Sequence, residues 1–514
     1  MMTSIQSPFL DKPLSRRAVL QGGLKLATAT GLALTFSQSF AAVTEEQGKL
    51  IEGIRHFELE AHPALLKVGS SLVQTWSYNG SFPGPILRMT EGERVRIRFS
   101  NNLEEVTNLH FHGLHIPPTG TGDDVFREVM PGESVMYDFV LPEKSAGCYW
   151  YHPHVHGKVH SQLFKGLAGA IIVEAKEKTL LDEIPEVLWV LKDISSLRNG
   201  FIPEATMMDM MMGREGDVIS LNGEIGIGVG LEHPQCRLKL LNASNARFYR
   251  LHIPNAKLWL LATDGHYLSQ AKPVEELLIT PGERYELLVE LPEAGRYGLE
   301  MLPYNRSPEM GMMGMSQMPS MSLSSDQNNM HEQHMQHMQH MQHNMTNPDT
   351  PNTSVLGYLE LNTHQEGKKL DFEAANTILK DLAPPALKLE DVTTTREFIF
   401  SEDMMALQFL INGQSFDHMR IDTQVNLGDV ELWRIINTTG MDHSFHLHVY
   451  PFQLYRQQDE SLNEIIVKDT VNVPAGQSVE VLVAFRDFAG KTLYHCHVVE
   501  HEDLGMMGLL EVLG

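Results

Sequence analysis

VPAGQSVEVLVAFRDFAGKTLYHCHVVEH, Val473 to His501, decides how the rest of the chain is read. A Pro-Ala-Gly turn leads into alternating apolar residues, then a Gly-containing turn and an aromatic-rich run, the pattern of two successive β-strands. The plan occurs twice more, in MPGESVMYDFVLPEKSAGCYWYHPHVHG from Met130 and TPGERYELLVELPEAGRYGLEML from Thr280. Upstream, EGERVRIRFSNNLEEVTNLHFHGLH from Glu91 matches LGDVELWRIINTTGMDHSFHLH from Leu427, and CRLKLLNASNARFYRLHI from Cys236 takes the corresponding place in the middle unit. Repeats of this length are whole β-sandwich domains, not solenoid units.

The totals agree. The chain has 514 residues, and at ~150 per domain this suggests about three domains. Its 40 glycines and 26 prolines cut the apolar stretches into short pieces, as in an all-β protein. The expected plan is a signal peptide over 1–41, sandwich domains over 45–176, 185–362 and 393–514, an insertion at 309–345 and a linker at 363–392. In the leader, SRRAVLQ (Ser15 to Gln21) precedes a mild apolar stretch, and Ser39 and Ala41 offer a small-residue cleavage site. Paired arginines in that position read as a twin-arginine signal, which places the mature protein in the periplasm.

A formal net charge of -25 repels nucleic acid and anionic membrane and favours small cations. No segment outside the leader is long enough to span a bilayer, so neither nucleic acid nor stable membrane insertion is expected, and the protein is read as a monomer. Cys148, Cys236 and Cys496 are the only cysteines, too few for a disulfide scaffold. A Cys148–Cys236 bridge is arithmetically possible, but two ordinary buried thiols are the expectation.

The histidines are unevenly spread over the repeats. The first and third units carry His-x-His pairs at both equivalent strands, and the middle unit has none. That points to a site shared by the outer domains, with the middle one as a spacer. Side chains alternate faces along a strand, so His110 and His112, His152 and His154, His446 and His448, and His495 and His497 each share a face. Cys496 must point the opposite way, so one strand can feed two metal centres. On the thiolate side, His443, Cys496 and His501 form a His2Cys set with Met506 placed as a weak axial thioether, the signature of a blue-copper site. On the other side, eight imidazoles exceed what one metal needs and suit a cluster of coppers. A structural zinc site would use more thiolates and close at four ligands.

With HFHG, HPH, HSFHLH and HCHVVEHEDLGM in this order, the chain resembles the multicopper oxidases over almost its whole mature length. The resemblance implies three cupredoxin-like Greek-key β-sandwich domains and four coppers per chain. The type 1 copper would take His443, Cys496, His501 and Met506. The type 2 copper would take His110 and His446, and the type 3 pair His112, His152, His154, His448, His495 and His497. No ligand position is missing, although Ser444 stands where the family normally has Pro and Val449 where Gly is common. The implied reaction takes single electrons from a reducing substrate, passes them through Cys496 to His495 and His497, and reduces dioxygen to two waters. Glu502, Asp123 and Asp124 are candidate proton donors, and His115, His156 and His160 fall at no ligand position.

The substrate is addressed by EMGMMGMSQMPSMSLSSDQNNMHEQHMQHMQHMQHNM, Glu309 to Met345. Thioethers favour Cu(I) and imidazole takes either copper state, so His334, His337 and His340 interleaved with Met335, Met338 and Met341 read as a copper-collecting tract. Further thioethers occur at MMDMMM (Met207 to Met212), at Met404 beside Asp403, and at Met441 beside Asp442, directly before His443. These features are similar to the bacterial copper-efflux oxidases, in which a Met-rich segment covers the type 1 site. The resulting expectation is a periplasmic cuprous oxidase. A general laccase acting on phenols, or a copper-binding or assembly protein, are the alternatives.

Overall fold

The computed structural model describes residues 44–68, 71–195, 201–307, 353–362, 369–457 and 460–514. The leader and the Met/His tract lie outside the described residues. Six sheets pair into three sandwiches, spanning Glu45–Glu174, Glu186–Leu361 and Thr394–Leu513. Each is built around the same three strands. Thr394–Asp403 runs parallel to Val430–Asn437, which runs antiparallel to Ser478–Ala484. Glu186–Ile194, Gln235–Asn242 and Arg284–Glu290 repeat this in the second sandwich, and Ile54–Val68, Arg94–Asn101 and Ser134–Val140 in the first. The repeats quoted above are therefore one supersecondary unit, and the second and third sandwiches share the whole strand order. The molecule is all-β, with cupredoxin-like Greek-key domains.

Period-two alternation supplies each sandwich with its own core. Ile97, Phe99 and Tyr151 close the first, Leu240, Leu251 and Leu287 the second, and Trp433, Phe445 and Val481 the third. Cys148 and Cys236 are both free and buried, and they sit in different apolar clusters. Within the stretch expected as a linker, the helix Phe372–Leu382 buries Ala375 and Leu379, and its Asn376 Oδ1 accepts the Ala271 N–H at 2.9 Å. The helix is thereby fastened to the second sandwich.

Charge joins the first two sandwiches. Glu186 accepts from Arg88 at 2.8 Å and from Lys239 at 2.7 Å. Burial alone would raise its pKa, but the Lys239 and Arg88 cations beside it hold it down at about 2 against an ordinary 4.5. Because folding lowers this pKa, the stabilisation is fully present above 4.5 and is lost as pH falls toward about 2. Replacing Glu186 by Gln removes a carboxylate shared by two cations, leaves Arg88 to Glu45 and Lys239 to Glu286, and is expected to cost roughly 1.5–3 kcal/mol at neutral pH. Urea unfolding at pH 7 and pH 3 checks both parts: the gap between parent and variant must be large at the first and shrink at the second.

Candidate metal centres

The paired strands set the donors. In the third sandwich, Gly490–Cys496 lies antiparallel to His443–Leu447 with His446 opposite His495 and Phe445 opposite Cys496. In the first, His110 stands opposite His152 and His112 opposite Trp150. Alternation sends His446, His495 and His497 to the face met by the first sandwich and sends Cys496 the other way, to His443. His448 follows the strand end, where Val449 is held at φ 67°, a left-handed conformation that costs a β-branched residue strain and suits glycine.

All eight paired histidines are buried and converge between the first and third sandwiches. His110 stacks on His448 with ring centroids 3.9 Å apart, and His112 on His446 at 3.8 Å. Three donor sets lie within coordination reach: His110 with His112 and His446; His112 with His152 and His497; His154 with His448 and His495. In the last, Nε2 of His495 lies 3.2 Å from Nε2 of His154 and 3.0 Å from that of His448. Three of the four pairs that share a face thus divide between sets, His497 going to one and His495 to another, while His110 and His112 meet in the first.

These residues fit copper. The inward nitrogens His110 Nε2, His112 Nδ1, His152 Nε2 and His446 Nε2 are buried with no hydrogen-bond partner, as are both nitrogens of His497. Burial, reinforced by neighbouring imidazoles, lowers the pKa of His110, His112, His154, His448 and His497 well below the ordinary value, leaving neutral rings with free lone pairs. On His110, His112, His152 and His446 the outward nitrogen is occupied, which fixes ring orientation. Nδ1 of His110 donates to Asp123 at 2.8 Å, that of His152 to the Pro153 carbonyl at 2.9 Å, that of His446 to the Asp469 carbonyl at 2.8 Å, and Nε2 of His112 to Asp469 at 3.0 Å.

The thiolate set is as close-knit. Sγ of Cys496 is 3.4 Å from Nδ1 of His443 and 4.0 Å from that of His501, and the two nitrogens are 3.2 Å apart. Burial pushes the Cys496 thiol up to about 12, so a metal must displace its proton. Nε2 of His443 is bonded to Thr439 Oγ1 at 2.8 Å, and that of His501 donates to the Met211 carbonyl at 3.2 Å. Met506 is fully buried, and its backbone is bonded to both Cys496 and His501.

The remaining expected residues separate. Asp123 and Glu502 are not solvated acids: both are buried in contact with donor imidazoles. Burial raises Asp123 to about 7, and raises Glu502, whose Oε2 lies 3.1 Å from Nδ1 of His495. Asp124 instead accepts the Phe126 N–H at 3.3 Å, at a half-exposed turn. His115 bridges the Val449 carbonyl and Asp487, His160 pairs with Asp503 at 2.6 Å, and His156 is exposed against Phe416. Met441 and Asp442 are buried, whereas Asp403 and Met404 lie on an exposed turn. His334, His337, His340, Met335, Met338 and Met341 lie outside the described residues. MMDMMM is a helix, Met207–Met212, capped by Thr206 and Asp209, and it sits on the helix Val499–Asp503 that carries His501. Sequence reading missed three residues here. Asp469 and Arg284 brace the imidazole cluster, and Arg306 stands in the wall of the thiolate site. Only contacts across more than a hundred residues reveal them.

The fold and these donors define the class: a copper-binding oxidoreductase assembled from cupredoxin-like domains. Comparison with known proteins agrees. Multicopper oxidase family profiles match residues 64–178, 230–310 and 383–513. A multicopper oxidase structure from Campylobacter jejuni, described as a metallo-oxidase, is 30% identical, covers 92% of this chain and 94% of its own, and superposes with a TM-score of 0.74. A multicopper oxidase of Staphylococcus haemolyticus is 25% identical over 91% of this chain and 90% of its own. A Bacillus stratosphericus laccase is 24% identical over 89% and 95%. The chain belongs to the multicopper oxidase family, whose members couple oxidation of reducing substrates to reduction of dioxygen. No helix among the described residues is long and apolar enough to cross a membrane.

Proposed function

We propose that this protein is a cuprous oxidase that protects the periplasm from copper by oxidising Cu(I) to Cu(II) and reducing dioxygen to water. The observation that carries this reading is the methionine helix Met207–Met212. It lies against the helix of His501, its Met211 carbonyl holds that imidazole, and none of its side chains is fully buried. Thioethers at the outer edge of the thiolate site offer a soft landing for Cu(I) and little for a phenol. Met441, Asp442, Asp403 and Met404, with the tract at 309–345, are assigned to the same route. The Tat-type leader supports the periplasmic placement, and the domain limits are taken as 45–176, 185–362 and 393–514.

His443, Cys496, His501 and Met506 would hold a type 1 copper, His110 and His446 a type 2 copper, and His112, His152, His154, His448, His495 and His497 a type 3 pair. When bound, these four coppers would supply one-electron oxidation at the thiolate and four-electron reduction of dioxygen at the cluster. The chain's own residues do the rest. Cys496 links the two donor sets covalently through its immediate neighbours His495 and His497. Asp123, lifted by burial to about 7, and Glu502, raised by burial, stand beside His110 and His495 to hold and pass protons for the water-forming steps. The apolar packing around His443 and His501, including Phe409 stacked on His501 at 3.9 Å, excludes water from the thiolate.

The Bacillus relative's name supports a second reading, a laccase for phenols. Dioxygen uptake with Cu(I) and with a phenol decides between them, with the Cys496→Ser variant as blank. Faster blank-corrected uptake with Cu(I), and phenol oxidation only after copper is added, is expected. Faster phenol oxidation without added copper would make the protein a laccase.

A further inference from the structure

One buried charge at the thiolate site has no counter-ion among the described residues. Arg306 is only 9% exposed, its Nη1 has no hydrogen-bond partner, and no ion pair reaches it among the described residues. Two strings of contacts hold it in place. Its carbonyl accepts the N–H of Asp442, the neighbour of His443, at 2.8 Å. Its guanidinium stands 5.5 Å from the Phe248 ring centroid, and that ring stacks on Tyr304, whose hydroxyl donates to the Asp442 carboxylate. The opposite wall is Gly213, at φ 76°, which ends the methionine helix. A Cβ there would lie 3.0 Å from Arg306 Nη1 and 2.7 Å from Val498 Cγ1. Val498 in turn donates its N–H to Cys496 Sγ at 3.4 Å. Asp442 accepts from Tyr304, from Asn472 at 3.3 Å and from the Ala475 N–H at 2.9 Å, and it forms no ion pair with the arginine.

A cation in a low-dielectric wall acts at range on whatever charge its neighbour carries. That neighbour is the thiolate site: one Cβ position at Gly213 lies within 3.0 Å of both Arg306 Nη1 and Val498 Cγ1, and Val498 is bonded to Cys496 Sγ. Copper bound there loses one positive charge on reduction, so the same field disfavours Cu(II) more than Cu(I). We propose that Arg306 is a positioning residue for the thiolate centre, its unpaired guanidinium biasing bound copper toward the cuprous state and so raising the oxidising power available against the substrate. This rests on copper occupying the His443–Cys496–His501 site.

The test is a spectroelectrochemical titration of the blue band in the copper-loaded full chain, comparing the parent with Arg306→Met, Arg306→Gln and Arg306→Lys. A blue band in each variant shows that the site is intact before its potential is read. Loss of the charge in the Met and Gln variants is expected to cut the Cu(I)-over-Cu(II) preference about tenfold, ~59 mV for one electron. Arg306→Lys, which keeps the charge, is expected to stay within about threefold of the parent. An unchanged potential in both uncharged variants overturns the proposal. So does a Lys variant that falls as far as they do, since packing and not charge would then be responsible. A parent that binds copper without a blue band would refute the copper assignment itself, and this proposal with it.

Discussion

Cys496→Ser abolishes the blue absorption and lowers oxidase turnover by at least about a thousandfold, while the fold survives. Cys496 is fully buried, one strand position from two imidazoles that serve the cluster and within 4.0 Å of both imidazoles that share its own site. A serine hydroxyl has nearly the same shape, so the strand Gly490–Cys496 keeps its register and neighbours. It is a hard, neutral oxygen at pH 7, which neither forms the thiolate bond that colours the site nor suits Cu(I). The expected cost to folding is only about 1–2 kcal/mol, the penalty of an imperfectly satisfied buried hydroxyl. Circular dichroism and thermal unfolding of the metal-free variant should match the parent closely. Normal turnover of Cu(I) by this variant would show that electrons reach the cluster by another route.

The second large effect is expected from Asp469→Ala. This carboxylate is buried and accepts from both terminal nitrogens of Arg284, at 2.7 and 2.6 Å, from Thr470 at 2.8 Å and from His112 Nε2 at 3.0 Å. Burial alone would raise its pKa, but Arg284 and then His112 hold it well below the ordinary range. Removing Asp469 strips the guanidinium of its bidentate partner, leaves it only Asp264 at 3.6 Å, and costs about 3 kcal/mol. Arg284 comes from the second sandwich, Asp469 from the third and His112 from the first, so all three lose a common anchor. Denaturant unfolding of the metal-free protein measures the first loss, and copper content after reconstitution the second, expected at His112 and His446. A variant as stable as the parent, with full copper, would mean that Arg284 finds another partner.

The candidate donors were legible in the sequence because strand periodicity determines which side chains share a face, while their division among coppers came from the family resemblance. His-x-His in equivalent strands, with Cys496 out of phase, leaves few arrangements, and the structure brings every one of those side chains together. The repeat likewise showed the three sandwiches before any coordinates. What periodicity cannot report is what lies across an interface. Met207–Met212 could be recognised as soft, but nothing local to it says that it rests on the helix of His501. Asp123, Asp124 and Glu502 are all candidate proton donors by position, and only burial against His110 and His495 separates the first and last from the half-exposed Asp124. Arg306, Arg284 and Asp469 look like any charges in an acidic protein until their partners, or lack of them, are seen.

The span of the donors along the chain has a consequence for biosynthesis. The cluster draws on residues from His110 to His497, and the thiolate set ends at His501 and Met506. A ribosome must therefore translate through His497 before the imidazole sets are complete, and through Met506 before the thiolate set is. A polypeptide shortened by a stop codon or by a protease ahead of Tyr494 has only scattered imidazoles, with neither thiolate nor closed cluster. Such a fragment lacks the means to complete four-electron chemistry, so copper reactivity waits until translation has passed the thiolate motif.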